Sequence, residues 1–109
     1  MADFTGDEGA NTLNGTEAAD IILGLGGDDL LAGLGGDDLL DGGSGFDIVD
    51  YGLAIAALLI DLGVGSASGG AGSDTLVSIE GVIGSDFADT LSGDDNNNLL
   101  RGRLGDDVI

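Results

Sequence analysis

Nine residues is the unit of this chain. Between residues 6 and 50 five blocks follow one another without a gap, each opening on glycine, with Asp or Asn sixth and an aliphatic residue eighth. They read GDEGANTLN (6–14), GTEAADIIL (15–23), GLGGDDLLA (24–32), GLGGDDLLD (33–41) and GGSGFDIVD (42–50). A unit this short holds only a turn and a strand, and such a strand cannot stand alone. Its hydrogen bonds and its burial must come from stacking on other units.

The first six positions of each block are glycine-rich and polar, which favours a turn, since glycine reaches positive φ without steric cost. The last three form a short strand in which side chains alternate, so the eighth points one way and the seventh and ninth the other. Leu13, Ile22, Leu31, Leu40 and Val49 occupy the eighth position and predict an aliphatic core ladder. Two turns and two strands close one coil of 18 residues, so alternate blocks lie together, about 4.8 Å apart. The first block stacks on the third and the third on the fifth, while the second stacks on the fourth.

Such stacking brings sixth positions together, with Asn11, Asp29 and Asp47 on one edge and Asp20 and Asp38 on the other. Carboxylates that close repel, and an intervening divalent cation turns the cost into attraction. Composition agrees: 21 acidic residues face two basic ones, Arg101 and Arg103, for a net charge of −19. A chain so charged repels itself when compact, lacks the basic face that nucleic acid requires, and is a poor partner for anionic membranes. Without His or Cys it is ill-equipped for zinc or copper. Its hard oxygen donors suit Ca²⁺, Mg²⁺ or Mn²⁺, with Ca²⁺ first. Glycine-rich turns leave carbonyls free to complete the roughly six to eight oxygens that Ca²⁺ prefers. With 23 glycines and no cysteine, bound metal can serve as the staple that a sparse core and absent disulfides do not provide.

The blocks resemble the G-G-x-G-x-D-x-U-x repeat of the RTX (repeats-in-toxin), hemolysin-type calcium-binding family, where U is a large aliphatic residue. The resemblance covers nearly the whole chain and is strongest over residues 24–50. It implies an all-β fold, a right-handed parallel β-roll or solenoid, with Ca²⁺ between stacked turns and the sixth-position residue as side-chain ligand. Asp28 and Asp37, fifth in their blocks, are expected to face solvent.

Beyond Asp50 the motif lapses while its phase persists to GGAGSDTLV (69–77). Residues 51–68 have the length of one coil, but their sixth positions, Ala56 and Gly65, offer no carboxylate. A coil or loop without calcium sites is expected there, with a strand over 57–62. SIEGVI (78–83) breaks the phase before GSDFADTLS (84–92), GDDNNNLLR (93–101) and GRLGDDVI (102–109). The stretch 69–94 looks like the connector that separates repeat arrays in secreted RTX proteins. By position, Asp74, Asp89, Asn98 and Asp107 join Asn11, Asp20, Asp29, Asp38 and Asp47 as candidate metal ligands. Ala18, Phe87 and Asn96 depart from the fourth-position glycine, and Asn98 replaces Asp. The expected organisation is a single domain over 1–109: a first array (6–50), a divergent coil, repeat and connector (51–83), and a second, truncated array (84–109).

Acids outside the sixth position, such as Asp3, Asp7, Glu8, Asp41, Asp50, Asp94 and Asp95, read as solvated surface; Glu80 and Asp61 read as loop residues, and Phe46 and Tyr51 as packing. No His, Cys or Lys is available for catalysis, so the chain is not expected to be an enzyme. The N-terminus MADFTGDEG lacks the basic and apolar regions of a cleaved signal. The longest apolar run, 53–60, falls far short of the roughly 20 residues that span a bilayer. Without calcium, the acidic low-complexity composition predicts disorder. The RTX resemblance then implies unfolded export through a type I channel and folding in extracellular calcium. A structural adhesin or surface-layer segment, and an accessory module of a secreted hydrolase or protease, are the alternatives. Seventh-position residues (Ile21, Leu30, Leu39, Ile48, Leu99, Val108) are expected to form an outward apolar stripe that docks another copy or the rest of a larger protein.

Overall fold

The computed structural model of the chain describes residues 2–70, 72–105 and 107–109, and these form strands and turns without a helix. The strands are β1 (Ala2–Thr5), β2 (Thr12–Asn14), β3 (Asp20–Leu23), β4 (Leu30–Ala32), β5 (Leu39–Asp41) and β6 (Ile48–Asp50). They continue as β7 (Leu58–Asp61), β8 (Ser66–Gly69), β9 (Asp74–Val77), β10 (Gly81–Ile83), β11 (Thr90–Ser92) and β12 (Leu99–Arg101). One sheet has the order β1-β3-β5-β9-β8-β7-β11, the other β12-β10-β6-β4-β2. Successive strands of the first array alternate between sheets, as two strands per 18-residue coil require. Leu13 pairs with Leu31 and Leu31 with Val49 in one sheet, and Ile22 with Leu40 in the other, all parallel. The result is a parallel β-roll.

The eighth-position ladder is the core. Ile22, Leu31, Leu40 and Val49 are fully buried, and Ile60, Leu76, Val82 and Leu91 extend the same cluster along both sheets. Leu13, at the N-terminal end of its sheet, is half-buried because it has a neighbouring coil on one side only. Seventh-position side chains face outward: Ile21, Leu30, Leu39 and Ile48 are half-buried by one another, with Leu30 beside Ile48 and Ile21 beside Leu39, whereas Leu99 and Val108 are exposed. Gly81 interrupts this stripe, and the space above it is taken by Ile48 and Leu99: a Cβ there would lie 2.8 Å from Ile48 Cγ1.

Two segments escape the nine-residue geometry. Residues 51–68, one coil in length, do not go round the roll. Their inward residues Leu58, Ile60 and Ala67 recur at strand spacing, and β7 and β8 pair antiparallel as a hairpin closed at Gly65, φ +82°. The hairpin lies within one sheet, β8 antiparallel to β9 and β7 parallel to β11, so that sheet has seven strands against five in the other. The phase break at 78–83 is a block whose turn has lost three residues: Ser78, at φ +53°, begins a short turn that leads directly into β10. Glu80 and Gly81 N–H groups both donate to the Asp47 carbonyl at 2.9 Å, closing that turn on the preceding coil.

Leu40→Ala, which empties a fully buried site between β3 and β9, should cost about 2–5 kcal/mol in denaturant unfolding under excess calcium. Leu59→Ala, at a side chain 57% exposed, should stay within about 0.5 kcal/mol. Equal losses would contradict the assignment of inward and outward faces.

Candidate metal centre

The turns line two edges of the roll. Turns 6–11, 24–29, 42–47, 78–80 and 93–98 lie along one; turns 15–20, 33–38 and 84–89, with Asp74 and Asp107, lie along the other. On each edge the sixth-position backbone N–H donates to the carboxylate of the next stacked turn. Asn11 donates to Asp29 Oδ1 and Asp29 to Asp47 Oδ1 at 2.8 Å on the first edge. Asp20 donates to Asp38 Oδ1 and Asp38 to Asp74 Oδ1 at 2.8 Å on the second. Farther along, Leu58 donates to Asp89 at 3.0 Å and Asp89 to Asp107 at 2.7 Å. Asp20, Asp29, Asp38, Asp47, Asp74 and Asp89 are buried by this stacking, while Asn11, Asn98 and Asp107 are half-buried.

Glu80 belongs to the same series, although sequence reasoning reads it as a loop residue. Its Oε1 accepts the Asp47 N–H at 2.8 Å, the place an aspartate takes in the other coils. The shortened turn sets the backbone differently, and the longer side chain still reaches. A signal was present: Glu80 stands at the entry to a strand, as Asn11, Asp29, Asp38, Asp47 and Asp89 do, so alignment on strands rather than on first glycines finds it. Asp28 and Asp37 face solvent as expected, and each still binds the next coil, through Phe46 N–H at 2.8 Å and Ser73 N–H at 2.9 Å.

The second carboxylate oxygen separates the sites. Oδ2 of Asp29, Asp38 and Asp47 is buried without a hydrogen-bond partner. Asp20 is held by Thr16, whose N–H lies 2.6 Å from Oδ2, and Asp89 by Ser85 N–H at 2.7 Å. Asp74 Oδ2 accepts the Tyr51 hydroxyl at 2.6 Å, so Tyr51 both packs, as expected, and bonds. Asn11 and Asn98 use their amide oxygens to accept the Asp7 and Asp94 N–H groups, each at 2.8 Å.

Three orphaned carboxylate oxygens in one small fold are costly unless something positive meets them. The space beside them is shaped by the first-position glycines. A Cβ on Gly24 would sit 2.5 Å from Asp29 Oδ2 and 2.7 Å from the Gly42 carbonyl oxygen. On Gly42 it would sit 2.5 Å from both Asp47 Oδ2 and the Ser78 carbonyl. Glycine thus leaves open a niche where a carboxylate and the next coil's carbonyl converge, a hard-oxygen donor set that fits Ca²⁺. Among the described residues no three acidic side chains converge on one point, so an ion in such a niche draws most of its oxygens from the backbone.

Electrostatics marks Asp38 and Asp47 among them. Burial pushes the Asp38 carboxyl up to about 7, with Asp74 and Asp20 adding to the rise against the bond from Asp20 N–H. Asp47 is pushed up to about 6, chiefly by burial, with Asp29, Glu80 and Asp28 adding to it. Asp74 is raised by burial too, but the Tyr51 hydroxyl opposes the shift. The Tyr51 hydroxyl is driven far above its ordinary range by burial and the adjoining Asp74.

No curated protein matches the chain. The family model of the RTX calcium-binding nonapeptide repeat, four copies long, matches residues 5–40, 14–49 and 82–109. It passes over the hairpin and the shortened turn and covers the stacked turns on both sides of them. With most of its length matched and its turns stacked as the repeat demands, the chain belongs to the RTX family of calcium-binding nonapeptide repeats, and its ion is Ca²⁺.

Proposed function

We propose that this chain is a calcium-responsive module of a secreted protein: Ca²⁺ enters the turns, and the β-roll folds around it. Asp29, Asp38 and Asp47 are the principal side-chain ligands. The observation that carries this reading is the set of three buried Oδ2 atoms without partners, each of which calls for a cation. RTX repeats are typical of secreted bacterial proteins, and such export suits a chain that stays unfolded until it meets calcium.

Linkage gives the mechanism. Ions that bind only the folded coil each add RT ln(1 + [Ca²⁺]/Kd), about 1.4 kcal/mol at ten times Kd. Several such sites decide whether a marginal fold forms. With affinities of the extracellular class, on the order of 10⁻⁴ to 10⁻³ M, cytosolic calcium leaves the chain unfolded and external calcium folds it. The chain itself binds and folds rather than catalyses, having no His, Cys or Lys. Its half-buried seventh-position stripe offers the rest of a larger protein, or a second copy, a place to dock.

Far-UV circular dichroism during calcium titration, with magnesium as control, should show β signal appearing by millimolar calcium. Asp29→Ala should raise the midpoint more than Asp7→Ala; equal midpoints would remove the sixth position from the ligand set.

The same linkage has a sign in pH. Asp38 and Asp47 titrate in the metal-free roll near 7 and 6, against about 3.9 for an unfolded Asp. Their contribution to stability is fully present below about pH 4 and is lost as pH rises through 6 to 7. In chelator, then, β signal should increase as pH falls from 8 to 5, a proton doing part of the cation's work. Signal independent of pH across that window would contradict the burial of these two carboxyls.

A further inference from the structure

We propose that the second residue of each block decides whether its turn takes a cation: turns that close themselves through a Ser, Thr or Asp there bind none. The inference rests on the calcium reading above and refines which of the sixth-position residues serve it.

Four turns carry an oxygen-bearing second residue: Asp7, Thr16, Ser85 and Asp94. In each, its N–H donates to the sixth side chain, at 2.8, 2.6, 2.7 and 2.8 Å respectively. Its side-chain oxygen accepts the N–H of the fourth residue, at 2.8, 3.1, 3.1 and 2.9 Å. The Thr16 and Ser85 hydroxyls also donate to the carboxylates of Asp20 and Asp89, at 3.0 and 2.7 Å. These small networks use local side-chain bonding that Ser, Thr and Asp favour, and they leave the sixth side chain satisfied from within its own turn.

Of the turns without such a residue, three share one backbone, and in a fourth, where Gly70 stands second, the Tyr51 hydroxyl takes Asp74 Oδ2. Leu25, Leu34 and Gly43 stand second, at φ +67°, +65° and +77°, and Gly27, Gly36 and Gly45 stand fourth, at +80°, +82° and +102°. This paired left-handed backbone turns the second peptide away from the carboxylate, and these are the turns whose Oδ2 atoms lack a partner. Leucine has no conformational reason to be left-handed, and such strain is characteristic of ligand clamps. In the self-closed turns Gly9, Ala18, Phe87 and Asn96 are not left-handed, which is why three of those four positions dispense with glycine.

The niche around Asp20 is otherwise like that of the open turns. A Cβ on Gly15 would lie 2.6 Å from Asp20 Oδ2 and 3.0 Å from the Gly33 carbonyl. What differs is the occupant, the Thr16 N–H and hydroxyl in place of a cation. Turn 102–107 shares the open backbone at Arg103, φ +66°, but Asp107 is only half-buried, and no ion is assigned to it.

Equilibrium dialysis of the full chain against radiolabelled calcium, at saturation and with folding verified by circular dichroism, counts the ions. Leu25→Thr and Leu34→Thr should each lower the count by one while the roll still folds. The double change Thr16→Gly with Ala18→Gly, which reopens the turn at Asp20, should raise it by one. Counts unmoved in folded variants would overturn the inference and leave the calcium reading standing. Should the threonine variants fail to fold, the glycine pair decides alone. Wild-type protein that retains no calcium would overturn the calcium reading itself.

Discussion

The contact on which the rest depends is the hydrogen bond from a sixth-position N–H to the carboxylate of the next stacked turn. It ties coil to coil at the edges of the roll, where the strands are only three or four residues long and supply few ladder bonds of their own. It also fixes where the charge goes. Asp29, Asp38 and Asp47, whose Oδ1 atoms reach the sixth-position N–H of the neighbouring turn, are buried between turns, and Oδ2 is buried with them. The electrostatic problem and the cohesion of the fold therefore have one origin.

A buried Oδ2 meets three situations in this chain. Thr16 and Ser85 satisfy it from within the turn, Tyr51 does so from the segment that leads into the hairpin, and at Asp29, Asp38 and Asp47 it has no hydrogen-bond partner, the place we propose for the cation. The eighth-position ladder gains from each of them, since it is buried only while the turns stay stacked. The seven-strand sheet shows that stacking tolerates an inserted hairpin, provided inward residues such as Leu58 and Ile60 continue the core.

Much of this is legible in the sequence, because a strict period fixes neighbours. The stacking of alternate blocks, the Ile22 and Leu31 ladders, and the two edges of sixth-position side chains follow from counting in nines. Counting failed where local bonding departs from the period. Glu80 sits in a turn three residues short, so it is out of phase with the aspartates it continues. Tyr51 reads as packing because nothing in its neighbourhood reveals that chain reversal through the hairpin places Asp74 against its hydroxyl. The length of 51–68 suggested a coil, whereas the two-residue spacing of Leu58 and Ile60 already favoured a strand that could pair with its neighbour. Second-position chemistry was visible as letters, but its meaning depends on backbone angles.

The central claim is that cations hold together a chain whose charge of −19 would otherwise expand it. Small-angle X-ray scattering at neutral pH and low salt tests this most directly. In excess calcium the radius of gyration should lie close to the 12.3 Å of the folded Cα trace. On chelation it should rise toward the roughly 33 Å of an unfolded chain of this length. A radius that stays compact after calcium is removed would contradict the account.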